Sequence, residues 1–297
     1  MPADLFTPLN IGWIGVSAAL LVLWLVRIRN GYRPFQQAPT DHHQVGVPEL
    51  AMICPILVFG PMIPLYGMEN FESSSWQVQD LLFFLYLACF LSGFALLGVL
   101  KRYVSRPTGT FGLLQRPPGK VVAVTFIYFI LAQGLTIAAL GLTLWTCQQL
   151  GYEDVQVHQT LEKLKQVDSV RSIVMLTIPA ILTTPVFEEV FYRGVCQNLL
   201  IRITALFLRH RTSMEDTAPG SLFDLKQITP AARWTGIVLT SVFFALSHAD
   251  WQHFPALIVL SVCMGYSYER TGSLWTPIGM HALFNGLQVV AALLWAN

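Results

Sequence analysis

Long apolar stretches separated by short polar ones dominate the chain. Runs almost free of charge occupy residues 11–26, 50–66, 81–100 and 121–145 in the first half, and 173–200, 234–247, 254–268 and 274–295 in the second. A bilayer's hydrocarbon core takes about 20 apolar residues per helix, so the pattern predicts an all-α, polytopic membrane bundle of about eight transmembrane helices. The run at 173–200 is interrupted by charge, and those at 234–247 and 254–268 are short. Pro55, Pro61 and Pro64 in the second run, and Pro179 and Pro185 in the fifth, would break a soluble helix. Within a bundle neighbouring helices can satisfy the freed backbone groups, so kinks are expected there.

The polar connections set the expected orientation. Arg27, Arg29 and Arg33 follow the first run, whereas residues 1–10 carry no Lys or Arg. That order is the reverse of a cleavable signal peptide's, so the first run is expected to remain as an anchor. Lys101, Arg102, Arg106, Arg116 and Lys120 lie between the third and fourth runs, and Arg202, Arg209, Arg211, Lys226 and Arg233 between the fifth and sixth. Basic connections face the cytoplasm, which places both chain ends outside and suits a bacterial cytoplasmic membrane. Residues 152–170 space Val157, Leu161 and Leu164 along one helical face, which fits either an interfacial helix or a solvated connector. Residues 209–229, rich in Ser, Thr, Pro and Gly, read as a loop. No internal repeat or soluble domain is visible. One integrated membrane domain is expected, with residues 1–170 a four-helix region without motif and 171–297 a four-helix core holding the candidate chemistry.

Composition narrows the function classes. The 297 residues are 54% hydrophobic and 12% charged, about half the charged share of a soluble domain. With 18 Lys and Arg against 17 Asp and Glu the net charge is +1, which offers no basic field to a nucleic acid. Cys54, Cys89, Cys147, Cys196 and Cys263 stand singly, without CxxC spacing, and read as small apolar fillers.

The fifth run contains Thr184-Pro185-Val186-Phe187-Glu188-Glu189-Val190-Phe191-Tyr192-Arg193-Gly194. Charges at a helix centre cost roughly 2.5–3.5 kcal/mol each on insertion scales, so these three oppose insertion by on the order of 8–10 kcal/mol before pairing. A structural ion pair or an early end to the span would explain them, but function is the default reading of such residues. Residues four apart share a helix face and adjacent ones diverge by about 100°. Glu189 is therefore expected to pair with Arg193, in the favourable acid-first order, and Glu188 to point into the bundle unpaired. A carboxylate so placed suits taking a proton from water and returning it to a leaving group.

The sixth run ends Phe243-Phe244-Ala245-Leu246-Ser247-His248, and the eighth carries His281-Ala282-Leu283-Phe284-Asn285. At about 1.5 Å rise per residue, Glu188 lies roughly 21 Å from Arg202, His248 roughly 22 Å from Arg233 and His281 at most about 16 Å from Arg270. This similar depth predicts one buried polar site, to which Asn285, one turn beyond His281, can add an amide donor. His253, Asp250 and Trp251 fall in a short connection, and His42 and His43 lack nearby partners. Trp13, Trp24, Trp251, Trp275 and Trp295 suit an aromatic belt, and Glu69, Glu72 and Asp80 a solvated face. A carboxylate, two imidazoles and an amide contain the parts for hydrolysing a peptide bond. Glu188, His248 and His281 also match a catalytic zinc set, although no HExxH helix is present, so a general-base mechanism without metal is equally consistent. The rival reading is a transporter or scaffold in which the same groups relay protons or bind an ion.

The ordered set Glu188-Glu189-x-x-x-Arg193, Phe244-x-x-x-His248 and His281-x-x-x-Asn285 resembles the three motifs of the CPBP family, the CAAX proteases and bacteriocin-processing enzymes, also called the Abi family. It is similar to the type II CAAX prenyl endopeptidases over about residues 173–295, and Gly194 and the stretch Tyr268-Glu269-Arg270-Thr271-Gly272-Ser273-Leu274-Trp275 resemble bacterial members. The resemblance implies an intramembrane endopeptidase in which Glu188 and His248 activate water. His281 and Asn285 would then stabilise the oxyanion or bind a metal, and Glu189 and Arg193 would support the site. Zinc is the implied cofactor if there is one. The implied partners are membrane lipid and a peptide or lipidated protein substrate, prenylated and CAAX-like in eukaryotic members and of other kinds in many bacterial ones.

Overall fold

A computed structural model describes residues 7–36, 38–39, 87, 91, 112, 117–152, 170–212, 228–248 and 251–294. The expected runs at 50–66 and 81–100 lie outside the described residues, apart from two isolated positions. So do the connection 153–169, most of 209–229, and His42, His43, Cys54, Glu69, Glu72, Asp80, Cys89, Asp250 and Trp295.

The described residues form helices and no strand. Helix α1 spans Pro8–Arg29 and α2 Pro118–Gln149. Helix α3 covers residues 170–212, α4 Pro230–Leu246, α5 Phe254–Thr271 and α6 Trp275–Leu294. Local chemistry fixes several ends. Thr7 and Thr229 each accept a backbone N–H of the first turn at 3.2 Å, and Pro8 and Pro230 follow them, where a missing N–H costs nothing. Helix α5 ends at Gly272 (φ +62°), whose N–H bonds the Tyr268 carbonyl at 2.7 Å.

Among the described residues, four stretches are long and apolar enough to cross a membrane: Pro8–Arg29, Pro118–Gln149, Ile173–Leu208 and Trp275–Leu294. The protein is an integral membrane protein of helices. Against the expected eight spans stand these four, the shorter apolar α4, the largely enclosed α5, and two runs outside the described residues. Large side chains such as Leu23, Leu142, Phe207 and Leu246 lie exposed on the outside, as lipid rather than water would favour.

Helix α3 widens at and after its prolines. Pro179–Thr183 and Val190–Gln197 are π-helical, with α-helical Thr184–Glu189 between them. Each π stretch re-phases the side chains that follow, a device common at functional sites. Polar side chains serve the disturbed backbone: Thr183 Oγ1 donates to the Pro179 carbonyl at 3.0 Å, and Asn198 Nδ2 to the Gly194 carbonyl at 2.9 Å.

Packing ties the later helices together. Phe129 and Ala132 of α2, Tyr192 of α3, Phe244 of α4, Leu260 and Met264 of α5 and Met280 of α6 make one apolar core. Helix α1 leans on α2 through Trp13 against Phe129 and through Ser17 Oγ, which donates to the Ile130 carbonyl at 2.8 Å. This crossing needs glycine at 134, because a Cβ there would lie 2.2 Å from Ser17 Oγ and from the Trp13 carbonyl oxygen.

Arg202 and Arg233, expected in a basic connection, are instead inside α3 and α4 and buried. Arg233 Nη1 pairs with Glu269 Oε2 at 2.7 Å, and Gln197 Nε2 donates to Glu269 Oε1 at 3.0 Å. The same guanidinium donates to the Pro39 carbonyl at 3.3 Å and lies over the Phe35 ring, while Arg270 donates to the Pro34 carbonyl. Two arginines thus fasten the segment after α1 to the second half of the chain. Helix α3 also continues to Thr212, so Arg209 and Arg211 are helical rather than in the loop expected at 209–229.

Removing one partner of a buried pair strands the other's charge. Glu269→Ala should destabilise the protein by about 3–5 kcal/mol, read as a lowered thermal midpoint in detergent. The apolar double substitution Arg233→Met with Glu269→Leu should recover most of that loss.

Candidate functional site

The middle of α3 meets α4, α5 and α6 around Glu189 and Arg193, both fully buried. Glu189 ends the α-helical stretch and Arg193 lies in the π-helical one after it, and Arg193 Nη1 stands 2.8 Å from Glu189 Oε1, the pairing that the sequence pattern predicts. The other guanidinium nitrogen, Nη2, reaches α5 and donates to Ser261 Oγ at 2.8 Å and to the Ser261 carbonyl at 3.2 Å. The guanidinium carbon stands 5.1 Å above the Phe244 ring of α4.

Glu189 has a second partner that spacing alone does not reveal. His281 Nδ1 of α6 lies 2.9 Å from the same Oε1. A carboxylate already held by a guanidinium is an acceptor, so Nδ1 carries the proton and donates. In neutral imidazole this leaves Nε2 as a lone pair. Nε2 faces Glu188 Oε2 at 3.9 Å, too far for a direct hydrogen bond and suited to one water touching both. The Glu188 side chain keeps 22% of its surface exposed, yet its Oε2 atom is buried and has no hydrogen-bond partner. The two acids therefore diverge along α3 and still address one imidazole from its two nitrogens.

His248 follows α4 and is partly buried. Its Nδ1 is 2.8 Å from the Phe244 carbonyl, which can only accept, so this ring too is held with Nδ1–H and a free Nε2. The Phe244 side chain touches both imidazoles, with ring centres 4.8 Å from His248 and 5.9 Å from His281. Tyr192 OH donates to Ser247 Oγ at 2.7 Å, and Ser247 donates to the Phe244 carbonyl at 2.8 Å. These bonds order the end of α4 against α3. Asn285, one turn beyond His281, donates its amide to the Ala180 carbonyl of α3 at 2.8 Å.

The structure thus brings Glu188, Glu189, Arg193 and His281 together and ties His248 to them through Phe244. Among the described residues no group of three His, Cys, Asp or Glu side chains is arranged to hold a metal ion. As they stand, Glu188, His248 and His281 do not fit a zinc site. A cavity of about 560 Å³ lies elsewhere, beside Leu142, Thr146, Tyr152, Trp251 and Val259, and none of the acids or imidazoles named above lines it.

Sequence reasoning missed Ser261, Tyr192, Ser247, Gln197 and the Glu269–Arg233 pair. One signal was available: Glu189, Arg193 and Gln197 recur every four residues as a polar stripe in an apolar run. Ser261 gave no such sign, because a serine in an apolar helix commonly bonds its own backbone.

Arg193→Lys tests the fork. One ammonium cannot reproduce the planar reach to Glu189 and Ser261 at once. The variant should lose about 1–3 kcal/mol of stability, measured by thermal unfolding in detergent.

Residues 170–287 match the family model described as Type II CAAX prenyl endopeptidase Rce1-like. A Bacillus subtilis (strain 168) protein named "Putative membrane peptidase YdiL" is 21% identical over 126 residues, which are 42% of this chain and 41% of that protein. The match therefore spans about two fifths of the relative's length. No solved structure matches the chain. The matched segment runs from the start of α3 through Asn285 and contains all three motifs, so residues 170–287 are similar to the type II CAAX prenyl endopeptidases.

Proposed function

We propose that the protein is an intramembrane endopeptidase that hydrolyses a peptide bond of a membrane-associated substrate with a water activated at Glu188. The observation that carries this reading is the Glu189–His281–Glu188 arrangement. Glu189, fixed by Arg193, orients His281 through Nδ1 and turns Nε2 toward an acid whose facing oxygen has no hydrogen-bond partner.

A water between Nε2 and Oε2 can sit about 2.8 Å from both. Glu188 takes its proton as the oxygen attacks the peptide carbonyl carbon; the C–N bond then breaks and the proton passes to the leaving amine. Nε2 of His281, aligned by the carboxylate behind it, holds the water and shares its proton, a base-and-orienter logic seen in many hydrolases. His248 offers a second imidazole lone pair from α4 toward the same reaction. No step passes through a metal, because the donor set as it stands does not fit one.

The family supports a peptide substrate presented in the membrane, and the lipidated, CAAX-like class is the first to test. In this reading the chain spans a bacterial cytoplasmic membrane about eight times with both ends outside, the basic connections facing the cytoplasm.

Purified protein should cleave at least one member of a detergent-solubilised peptide set that includes a farnesylated CAAX peptide. Glu188→Gln, His281→Ala and His248→Ala should each lower cleavage by about 10²-fold or more, with each variant still folded by thermal unfolding. Undiminished cleavage in Glu188→Gln would refute the assignment. Chelators should leave the rate unchanged, and loss with a chelator followed by rescue with zinc would overturn the metal-free mechanism.

A further inference from the structure

Asn285 sits where the resemblance sets an oxyanion donor, yet its amide points at the backbone of α3. In the π-helical turn Pro179–Thr183 the bonds reach back five residues, as Thr184 N–H to the Pro179 carbonyl shows. Continued by one position, that pattern sends the N–H of residue 185 to the carbonyl of Ala180. Residue 185 is proline and has no N–H to give. The Ala180 carbonyl would stand unpaired in an apolar bundle, which is costly where water cannot reach. Asn285 Nδ2 donates to that oxygen at 2.8 Å.

We propose that Asn285 is a positioning residue: its amide takes the place of the N–H that Pro185 lacks and so fixes the α3 segment bearing Glu188 against the helix bearing His281. Two cross-links then join α3 to α6, Asn285 to Ala180 at one level and His281 to Glu189 at another. His281 and Asn285 lie four apart and share a face of α6. A single link would leave α3 free to pivot about it, whereas two set both its height and its rotation. Apolar packing runs along this seam, where Leu176 packs with Val289 and Ala292. The 3.9 Å gap between Glu188 and His281 depends on that alignment, and catalysis is sensitive to shifts of about 1 Å.

The inference rests on the peptidase reading only for its kinetic arm. The full chain is purified as wild type, Asn285→Ala, Pro185→Ala and the double variant, and thermal midpoints and cleavage of the farnesylated CAAX peptide, or of whichever peptide the wild type cuts, are measured. Asn285→Ala should lower the midpoint by about 2–6 °C and kcat by about ten- to a hundredfold, with KM little changed. Pro185→Ala restores an N–H at position 185, so the double variant should match Pro185→Ala alone in both midpoint and kcat. Where alanine prevents accumulation, Asn285→Asp, of the same shape but without the donor, is compared in the same two backgrounds. A double variant as slow as Asn285→Ala would overturn the proposal in favour of direct oxyanion contact. An unchanged midpoint in Asn285→Ala would overturn it as well. If the wild type cuts no peptide, the peptidase reading fails and the midpoint cycle alone still decides the role of Asn285.

Discussion

One buried carboxylate oxygen, Oε1 of Glu189, organises the second half of the chain. It accepts from Arg193 of its own helix and from His281 of α6, while the same arginine reaches Ser261 of α5 and lies over Phe244 of α4. Four helices therefore meet at one charge pair. Inside a bilayer such a pair is stable only when both ions are hydrogen-bonded as well as paired. The bonds this pair makes need α5 and α6 where they are, with the Phe244 ring of α4 over the guanidinium, while Glu189 Oε2 and Arg193 Nε keep no hydrogen-bond partner. The fold of this region and the alignment of His281 follow from one electrostatic constraint.

The irregular backbone of α3 belongs to the same logic. An undisturbed α-helix would carry its charges at fixed 100° intervals and leave no backbone group open. Pro179 and Pro185 and the π-helical turns break that regularity, and side chains from within α3 and from α6 repair it. In lipid the repair must come from protein, so each irregularity becomes a point of attachment between helices. The second network, Arg233 with Glu269 and Gln197, does the same work nearer the helix ends and extends it to the segment after α1.

Much of this was legible in the chain. The lengths of the apolar runs announced membrane helices, and the misplaced acids of the fifth run marked the site. The four-residue spacing of Glu189 and Arg193 gave their pairing, which the structure contains at 2.8 Å. Other readings failed for identifiable reasons. Arg202 and Arg233 looked like charges of a cytoplasmic connection because a sequence does not show that Glu269, 36 residues after Arg233, waits on another helix. Glu189 looked like a structural counterion only, because its second partner is 92 residues away.

The sequence by itself determined what the backbone's local rules and the bilayer's thickness control: helix type, apolar length, the i,i+4 ion pair, and the presence of an acid, two imidazoles and an amide in apolar runs. Tertiary structure alone decided which nitrogen of His281 faces which acid, that Phe244 lies against both imidazoles, and that the Asn285 amide meets the Ala180 carbonyl. Those outcomes depend on the rotation and height of one helix against another. Packing and hydrogen-bond satisfaction set these quantities between residues far apart in the chain, where periodicity carries no information.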